Sequence, residues 1–577
     1  MTLSAFEAGA APRARRSTRA RLADPTLWVW IGLAVVLIFL VVNPLSRIFI
    51  DAFRAPGTGA FTFSNFADVM GGRRNLTAYW NTAQLAAASV GLALFFALPI
   101  AFAVSRTDTP GRGALYLGVI AAFIMPPFLG AIGWILLAGP NAGWINQVYM
   151  GLTGAERGLF NIFSFWGLAF VIALTFFPLI FIFATSALDL ISSEMEEAAA
   201  IHGAGPMRTT LLVSLPLVAP AVLGACMLVF LEAIALYGTP ALIAIPARYN
   251  VATTQLTTFF EFPLRIEMAM AFSIPLVLVT VVLLVVQRFL LRKGAHVAVG
   301  GKGGARQPMR LGRWRWVLLA HGAMVALLAA ILPGGMLILT SLSNAWAQPM
   351  SWENLTLGNF NAILFEQQTV RKAMVNTVVY SLVAATACTL IGFVIAYIVM
   401  RRLLPFAPGL AFLAVAPIAV PGIVIAVAFY AAYAGAPFFL YGTGALVMLA
   451  FITRFLPIAF VACTSGVRSL HPELEEAVRI HGGSRLTVLR EVVGPLLKKS
   501  LFGVWLLVFV ISTRELSSAM FLTGPNSRVI SILTLDLSEQ GEYENLAAMG
   551  VVLLAVTSAV VLLGMRLLGR DFMLRRN

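Results

Sequence analysis

Charge is scarce in this chain. Only 11% of its 577 residues are Asp, Glu, Lys or Arg, while 60% are apolar, too little polar surface for a soluble protein. Cysteine is scarcer still. Cys226, Cys388 and Cys463 each stand alone inside an apolar run, which excludes a disulfide framework and gives no metal-ligand spacing. The five histidines are scattered, and no two show ligand spacing. No span holds paired acids, a histidine cluster or a reactive cysteine context, so an embedded enzyme has no constellation to work with. No catalytic residue and no metal site is expected. A G-x-x-x-x-G-K-[ST] loop is also missing. The nearest stretch, Gly300-Gly301-Lys302-Gly303-Gly304, lacks that order. No cofactor is therefore expected in this chain.

What the chain has is apolar length. Runs of about 20 apolar residues recur from end to end, the helical span of a bilayer core, and the mean hydropathy is +0.89. The expected fold is an all-α polytopic membrane protein with about twelve transmembrane helices. They are expected near 27–50, 78–105, 113–138, 162–188, 212–236 and 267–291, then 316–341, 372–400, 406–433, 441–466, 495–520 and 547–568. The net charge of +15 does not point to nucleic acid, because the basic residues lie in the loops between spans. Membrane lipid is the partner they suit, and they mark the cytoplasmic side. Arg13, Arg15, Arg16, Arg19 and Arg21 precede the first run, which leads into Asn43-Pro44 rather than a small-residue cleavage site. An uncleaved first span with its tail inside is expected over a cleaved signal.

The chain repeats itself, the feature to seek before any single motif. Trp28-x-Trp30 opens the first run and Trp314-x-Trp316 the seventh. Asn81-Thr82 matches Asn376-Thr377, Arg106 matches Arg401, and Pro126 matches Pro421. The offset then shortens by 16 residues, so that Glu197 matches Glu476, and the loop Gly139–Asn161 is the place for the insertion. This divides the chain into a basic tail 1–24, a first half 25–292, a linker 293–315 and a second half 316–577. Six spans per half make the halves parallel repeats. Both termini, the linker and both acidic loops then fall on the cytoplasmic side, with most of the 40 basic residues.

Those acidic loops carry the mechanism. The first reads Glu196-Glu197-Ala198-Ala199-Ala200-Ile201-His202-Gly203, the second Glu475-Glu476-Ala477-Val478-Arg479-Ile480-His481-Gly482-Gly483. Ser193 and Glu196 have capping-box spacing, and Pro472 suits a helix start. Acids in the first turn favour the positive helix end. Gly203 and Gly482 suit a left-handed residue after the helix. Pro216 and Pro495 follow at the same distance. Each loop is thus a short helix, a glycine break and a segment re-entering the membrane: an elbow. Ala198, Ala199 and Ile201, with Ala477, Val478 and Ile480, offer an apolar face to another protein. An ordinary capped surface helix would explain one copy, but not two at matched positions.

These residues resemble the EAA motif of permease subunits of binding-protein-dependent ABC importers: Glu197-Ala198-Ala199, Gly203 and Val213-Ser214-Leu215-Pro216 in one half, Glu476-Ala477, Gly482 and Pro495 in the other. Val478, Val492 and Gly494 replace the usual Ala, Ile and Leu. The resemblance covers nearly the whole chain. It implies a permease of a bacterial inner membrane, two ATP-binding cassette subunits seated on the elbows, and a periplasmic substrate-binding protein. It implies that nucleotide-driven closure of the ATPases moves the elbows and switches the pore between two states.

Charges inside apolar runs are candidate pathway residues. Glu232 is expected in the fifth span, Arg454 in the tenth, and Arg514-Glu515 in the eleventh. An arginine paired with an acid to fix packing is the plainer alternative. Pro126-Pro127 and Pro421-Gly422 can kink the third span of each half and turn carbonyls toward a cavity. The fused layout, Gly139-Pro140-Asn141-Ala142-Gly143 and Tyr237-Gly238-Thr239-Pro240-Ala241-Leu242 resemble iron(III) permeases, many of which have acid-Phe-Gly where this chain has Leu236-Tyr237-Gly238. Similar fused permeases serve 2-aminoethylphosphonate, thiamine and polyamines. A twelve-span carrier driven by an ion gradient is the rival class, and it leaves the two elbows unexplained.

Overall fold

A computed structural model describes residues 25–191, 193–294, 308–348 and 351–568. The arginine tail and Lys302 lie outside the described residues, as do the side chains of Ser193 and Glu197. The apolar runs become helix, because a backbone in lipid must satisfy its polar groups within its own segment. Half one contains α1 (Thr26–Ala52), α2 (Arg73–Arg106), α3 (Arg112–Ile124), α4 (Pro127–Ala138), α5 (Trp144–Thr153), α6 (Phe165–Leu188), α7 (Ser193–Ile201), α8 (Thr210–Ala235) and α9 (Ile266–Phe289). Half two contains α10 (Trp314–Ser341), α11 (Gln368–Met400), α12 (Ala407–Ala419), α13 (Gly422–Tyr433), α14 (Gly444–Ser469), α15 (Glu473–Ile480), α16 (Arg485–Thr513) and α17 (Tyr543–Gly564). Among the described residues, ten of these are long and apolar enough to cross a membrane alone.

The third span of each half is broken rather than kinked. The axes of α3 and α4 differ by 100°, those of α12 and α13 by 112°. Met125 and Val420, each preceding a proline, take extended backbone with ψ of 124° and 120°, as the proline ring demands of its predecessor. The eleventh span also ends earlier than expected. α16 stops at Thr513 because the Glu515 carboxylate accepts from the Ser518 N–H at 2.8 Å, an alternative to the helical ladder. Arg514 and Glu515 therefore lie in the turn beyond the helix, not inside it.

Each broken pair still counts as one crossing. Arg106, ending α2, bonds Ile191 just after α6. At the other ends, Tyr249 donates to Asn81 O at 3.2 Å and packs its ring 5.6 Å from Phe165. So α2 and α6 run parallel, and α3 with α4 must carry the chain back across. Half two repeats this: Arg401 donates to Leu470 O after α14, and Ser527 ties the loop held by Asn376 to Gly442, just before α14. The matched Asn-Thr pairs now have a role. Thr82 accepts from the Ala252 N–H and Thr377 from the Ile530 N–H, each capping a helix that lies opposite the elbows. The 16-residue change of offset falls where α5 stands between α4 and α6, against a short loop between α13 and α14.

The two halves exchange their first spans. α1 packs on half two: Trp30 meets the Phe406 ring at 6.0 Å, and Thr453 donates to Leu40 O at 3.0 Å. α10 packs on half one, so closely at Gly133 that a Cβ there would stand 2.5 Å from Pro333. The sequence boundary at the linker is thus not the packing boundary. Four π-helical turns, Ile38–Val42, Thr210–Ser214, Leu327–Ile331 and Leu489–Val493, each end two residues before a proline. These are Pro44, Pro216, Pro333 and Pro495. Proline lacks the N–H and its ring crowds the carbonyl four residues back, so the ladder widens there.

Both elbows, the start of α1 and the start of α10 lie on one face: Arg485 bonds Thr26, and Met309 pairs with Arg106. Basic residues concentrate on that face, so it is expected to be cytoplasmic. Alkaline-phosphatase fusions at Gly139 and Asn526 should be active, and a fusion at Lys302 inactive. The opposite pattern would refute this orientation.

Candidate functional site

The elbows are built alike. α7 ends at Ile201 and α15 at Ile480; Gly203 and Gly482 follow with φ of +79° and +82°. The left-handed turn lets the Ala204 N–H reach Ala199 O and the Gly483 N–H reach Val478 O, both at 3.0 Å, closing the helix end. Each histidine donates its Nδ1–H to the helix end, His202 to Ala198 O at 2.8 Å and His481 to Ala477 O at 2.9 Å. The glycine expectation holds in both copies. Pro216 and Pro495 stand in the first turn that follows each π turn.

Each elbow helix is amphipathic with its faces reversed. Its acid points into the protein and its apolar stripe into solvent. Met195, Ala198 and Ile201 lie three apart and are exposed, as are Leu474, Ala477 and Ile480. Ile201 is 84% exposed and Ile480 82%. Ala199 and Val478, expected on the same face, are half-buried. A solvent-facing isoleucine thus stands at the same place in both copies.

What turns the helices this way is a pair of ion pairs that sequence reasoning missed. Arg106 reaches Glu196 at 2.7 Å through Nη2 and 3.0 Å through Nε, and Ser214 Oγ donates to the same carboxylate at 2.7 Å. In half two, Arg401 Nε bonds Glu475 at 2.6 Å and the Tyr397 hydroxyl donates to it at 2.7 Å. Arg106 is 5% exposed and Glu475 8%. Thus the acid before the motif glutamate does the anchoring. Glu196, expected in a capping box with Ser193, accepts from Arg106 and Ser214, and the Ser193 side chain lies outside the described residues. Glu476 is exposed, and the Glu197 side chain lies outside the described residues. The available signal was the repeat itself, which matches Arg106 with Arg401 and Glu196 with Glu475.

The candidate pathway charges gather where the halves meet. Arg514 donates to Phe123 O at 2.6 Å, beside the break between α3 and α4, and its guanidinium stands 5.0 Å from the Phe123 ring centre. Arg454 donates to Val420 O at 3.1 Å, beside the break between α12 and α13. Glu515 and Arg454 flank Gly422: a Cβ there would lie 3.3 Å from Glu515 Oε1 and 3.6 Å from Arg454 Nε. Glu232 is exposed on α8 and, with Glu515, is near enough to act on the charge of Arg514. The plainer expectation, an arginine paired with an acid, is replaced by arginines bonded to carbonyls. Among the described residues, no three His, Cys, Asp or Glu side chains converge as metal ligands.

Residues 389–573 match the family described as binding-protein-dependent transport system inner membrane component. The ferric transport system permease protein FbpB of Actinobacillus pleuropneumoniae is 28% identical over 92% of this chain and 77% of its own length. A second ferric-transport permease, from Haemophilus influenzae, is 28% identical over 75% of this chain and 68% of its own. The spermidine/putrescine permease PotC of Escherichia coli K12 is 25% identical over 44% of this chain and 95% of its own.

The anchors are open to a direct test. Arg401→Ala leaves Glu475 buried without its cation, a loss of about 3–5 kcal/mol for such pairs. The second elbow should loosen while the spans stay folded. Trypsin should then cut at Arg479 at least tenfold faster than in the unmutated protein in detergent, with Arg106→Ala sparing that site. Equal cleavage rates would mean that the ion pair does not hold the elbow.

Proposed function

We propose that this chain, a two-half inner-membrane permease of the binding-protein-dependent transport type, forms the membrane path of an ABC importer whose ATP is bound by partner subunits, and that it admits iron(III). The observation that carries the substrate is the likeness to ferric permeases across both halves, where the polyamine permease PotC matches less than half of the chain. We read the two reversed elbow helices as the seats of two ATP-binding cassette subunits, one on each half. The binding protein docks on the opposite face. When nucleotide closes the ATPase pair, the elbows move with it. Arg106 and Arg401 pass that motion to α2 and α11, and the path switches from inward-open to outward-open.

A hard trivalent cation prefers oxygen ligands, and tight coordination belongs to the binding protein. The permease supplies a weakly acidic passage in which Glu232 and Glu515 meet the cation while Arg514 and Arg454 keep it from binding tightly. An ion-driven carrier would have no use for two solvent-facing apolar stripes. Importers for 2-aminoethylphosphonate, thiamine or polyamines remain within the same class and would use the same elbows.

Two experiments separate coupling from substrate. Replacing both Gly203 and Gly482 with valine puts side chains at left-handed positions, which costs about 1–2 kcal/mol at each, and space around both is open. The spans should fold, while the purified complex loses stoichiometric ATPase subunits or substrate-stimulated hydrolysis. Normal transport by the double variant would remove the docking reading. For the substrate, iron-limited cells lacking this gene should lose uptake of radioactive ferric ion. Unchanged iron uptake with lost growth on 2-aminoethylphosphonate as sole phosphorus source would reassign the substrate and keep the importer.

A further inference from the structure

The break between α3 and α4 leaves a carbonyl that its own helix cannot satisfy. In an unbroken helix the Phe123 carbonyl accepts from the N–H of residue 127, and the Ala122 carbonyl from residue 126. Both are prolines, which have no N–H. A buried carbonyl at membrane depth needs some donor. Arg514 supplies it at 2.6 Å, with its planar guanidinium over the Phe123 ring.

The two breaks differ in where that donor comes from. Val420 O at the second break is bonded by Arg454, on α14 of the same half. Phe123 O at the first break is bonded by Arg514, from the other half. The first contact closes only while the end of α16 lies against the end of α3. Among the described residues, no carboxylate is in ion-pair contact with Arg514, yet Glu232 and Glu515 are near enough to attract it. Arg514 thus has one partner it holds and two it does not.

We propose that Arg514 is a latch between the halves: it holds the present arrangement by donating to the carbonyl that Pro127 leaves open, and moves to Glu232 or Glu515 when the halves shift. This rests on the importer reading, in which turnover requires the halves to move. The latch is a positioning device, and breaking it lowers the barrier to the motion that ATP hydrolysis normally drives.

The test uses the full chain with its co-expressed ATPase subunits in lipid nanodiscs, and reads ATP hydrolysis without binding protein. Arg514→Met removes the donor and should raise this basal rate at least fivefold. Arg514→Lys keeps a charged donor and should raise the rate less than half as far as the Met variant does. A flat series, equal rises for Lys and Met, or a fall in a complex that still assembles by size exclusion would overturn the latch. If the Met variant does not assemble, Arg514→Gln takes its place, with a rise between the two expected and no rise refuting the proposal. Failure of the unmutated chain to assemble with the ATPases would instead strike the importer reading itself.

Discussion

Two ion pairs set how this molecule orients its two elbow helices. Arg106 with Glu196, and Arg401 with Glu475, join the end of a long membrane helix to the elbow after the fourth span of the same half. Removing a charge from water is costly unless it is paired and hydrogen-bonded, and here Ser214 and Tyr397 complete the shells. The pairing sets the rotation of each elbow helix. With one acid turned inward, the residues three apart on the opposite side must face out, and those are Ile201 and Ile480. The exposed apolar stripe is a geometric consequence of the buried charge. A force on the stripe passes through a short, stiff link to α2 or α11.

Proline organises the rest. Four single prolines each widen one turn of a helix that goes on, and Pro126-Pro127 breaks its span with the help of a residue forced extended. At those four prolines the missing donor is absorbed by a π turn. Pro126 and Pro127 in succession leave carbonyls that only another element can satisfy, and so that span breaks beside an arginine from another helix. The centre of the molecule is held by charge bonded to backbone rather than by charge bonded to charge.

Much of this was legible in the sequence. The spans follow from apolar length, the repeat from matched Asn-Thr, Arg and Pro positions, and the left-handed turns from Gly203 and Gly482, since each depends on local chemistry. Which of two adjacent glutamates turns inward was not legible, because helix rotation is set by an arginine some 90 residues away. The severity of the breaks was hidden for a similar reason: a proline pair permits any bend, and the packing of α4 against α10 selects this one. Arg514 and Glu515 looked like membrane-embedded charges because apolar residues continue beyond Thr513. A side-chain bond to the Ser518 N–H ends the helix there, and composition does not register it.

The exchange of first spans has a consequence for biosynthesis. α1 is made first, and although its second part packs on α9 of its own half, the groups of half two that hold it come late: Tyr433 donates to Phe39 O across 394 residues of chain, and Thr453 to Leu40 O across 413. At a synthesis rate of about 5–20 residues per second, α1 waits roughly 20–80 s in the bilayer before these partners exist. During that interval lipid, or another chain, must cover the face that half two will occupy. Half one likewise stays incomplete until α10 emerges. Joining both halves in one polypeptide ensures that each waiting surface meets its own complement, at the cost of a long assembly in which neither half is finished alone.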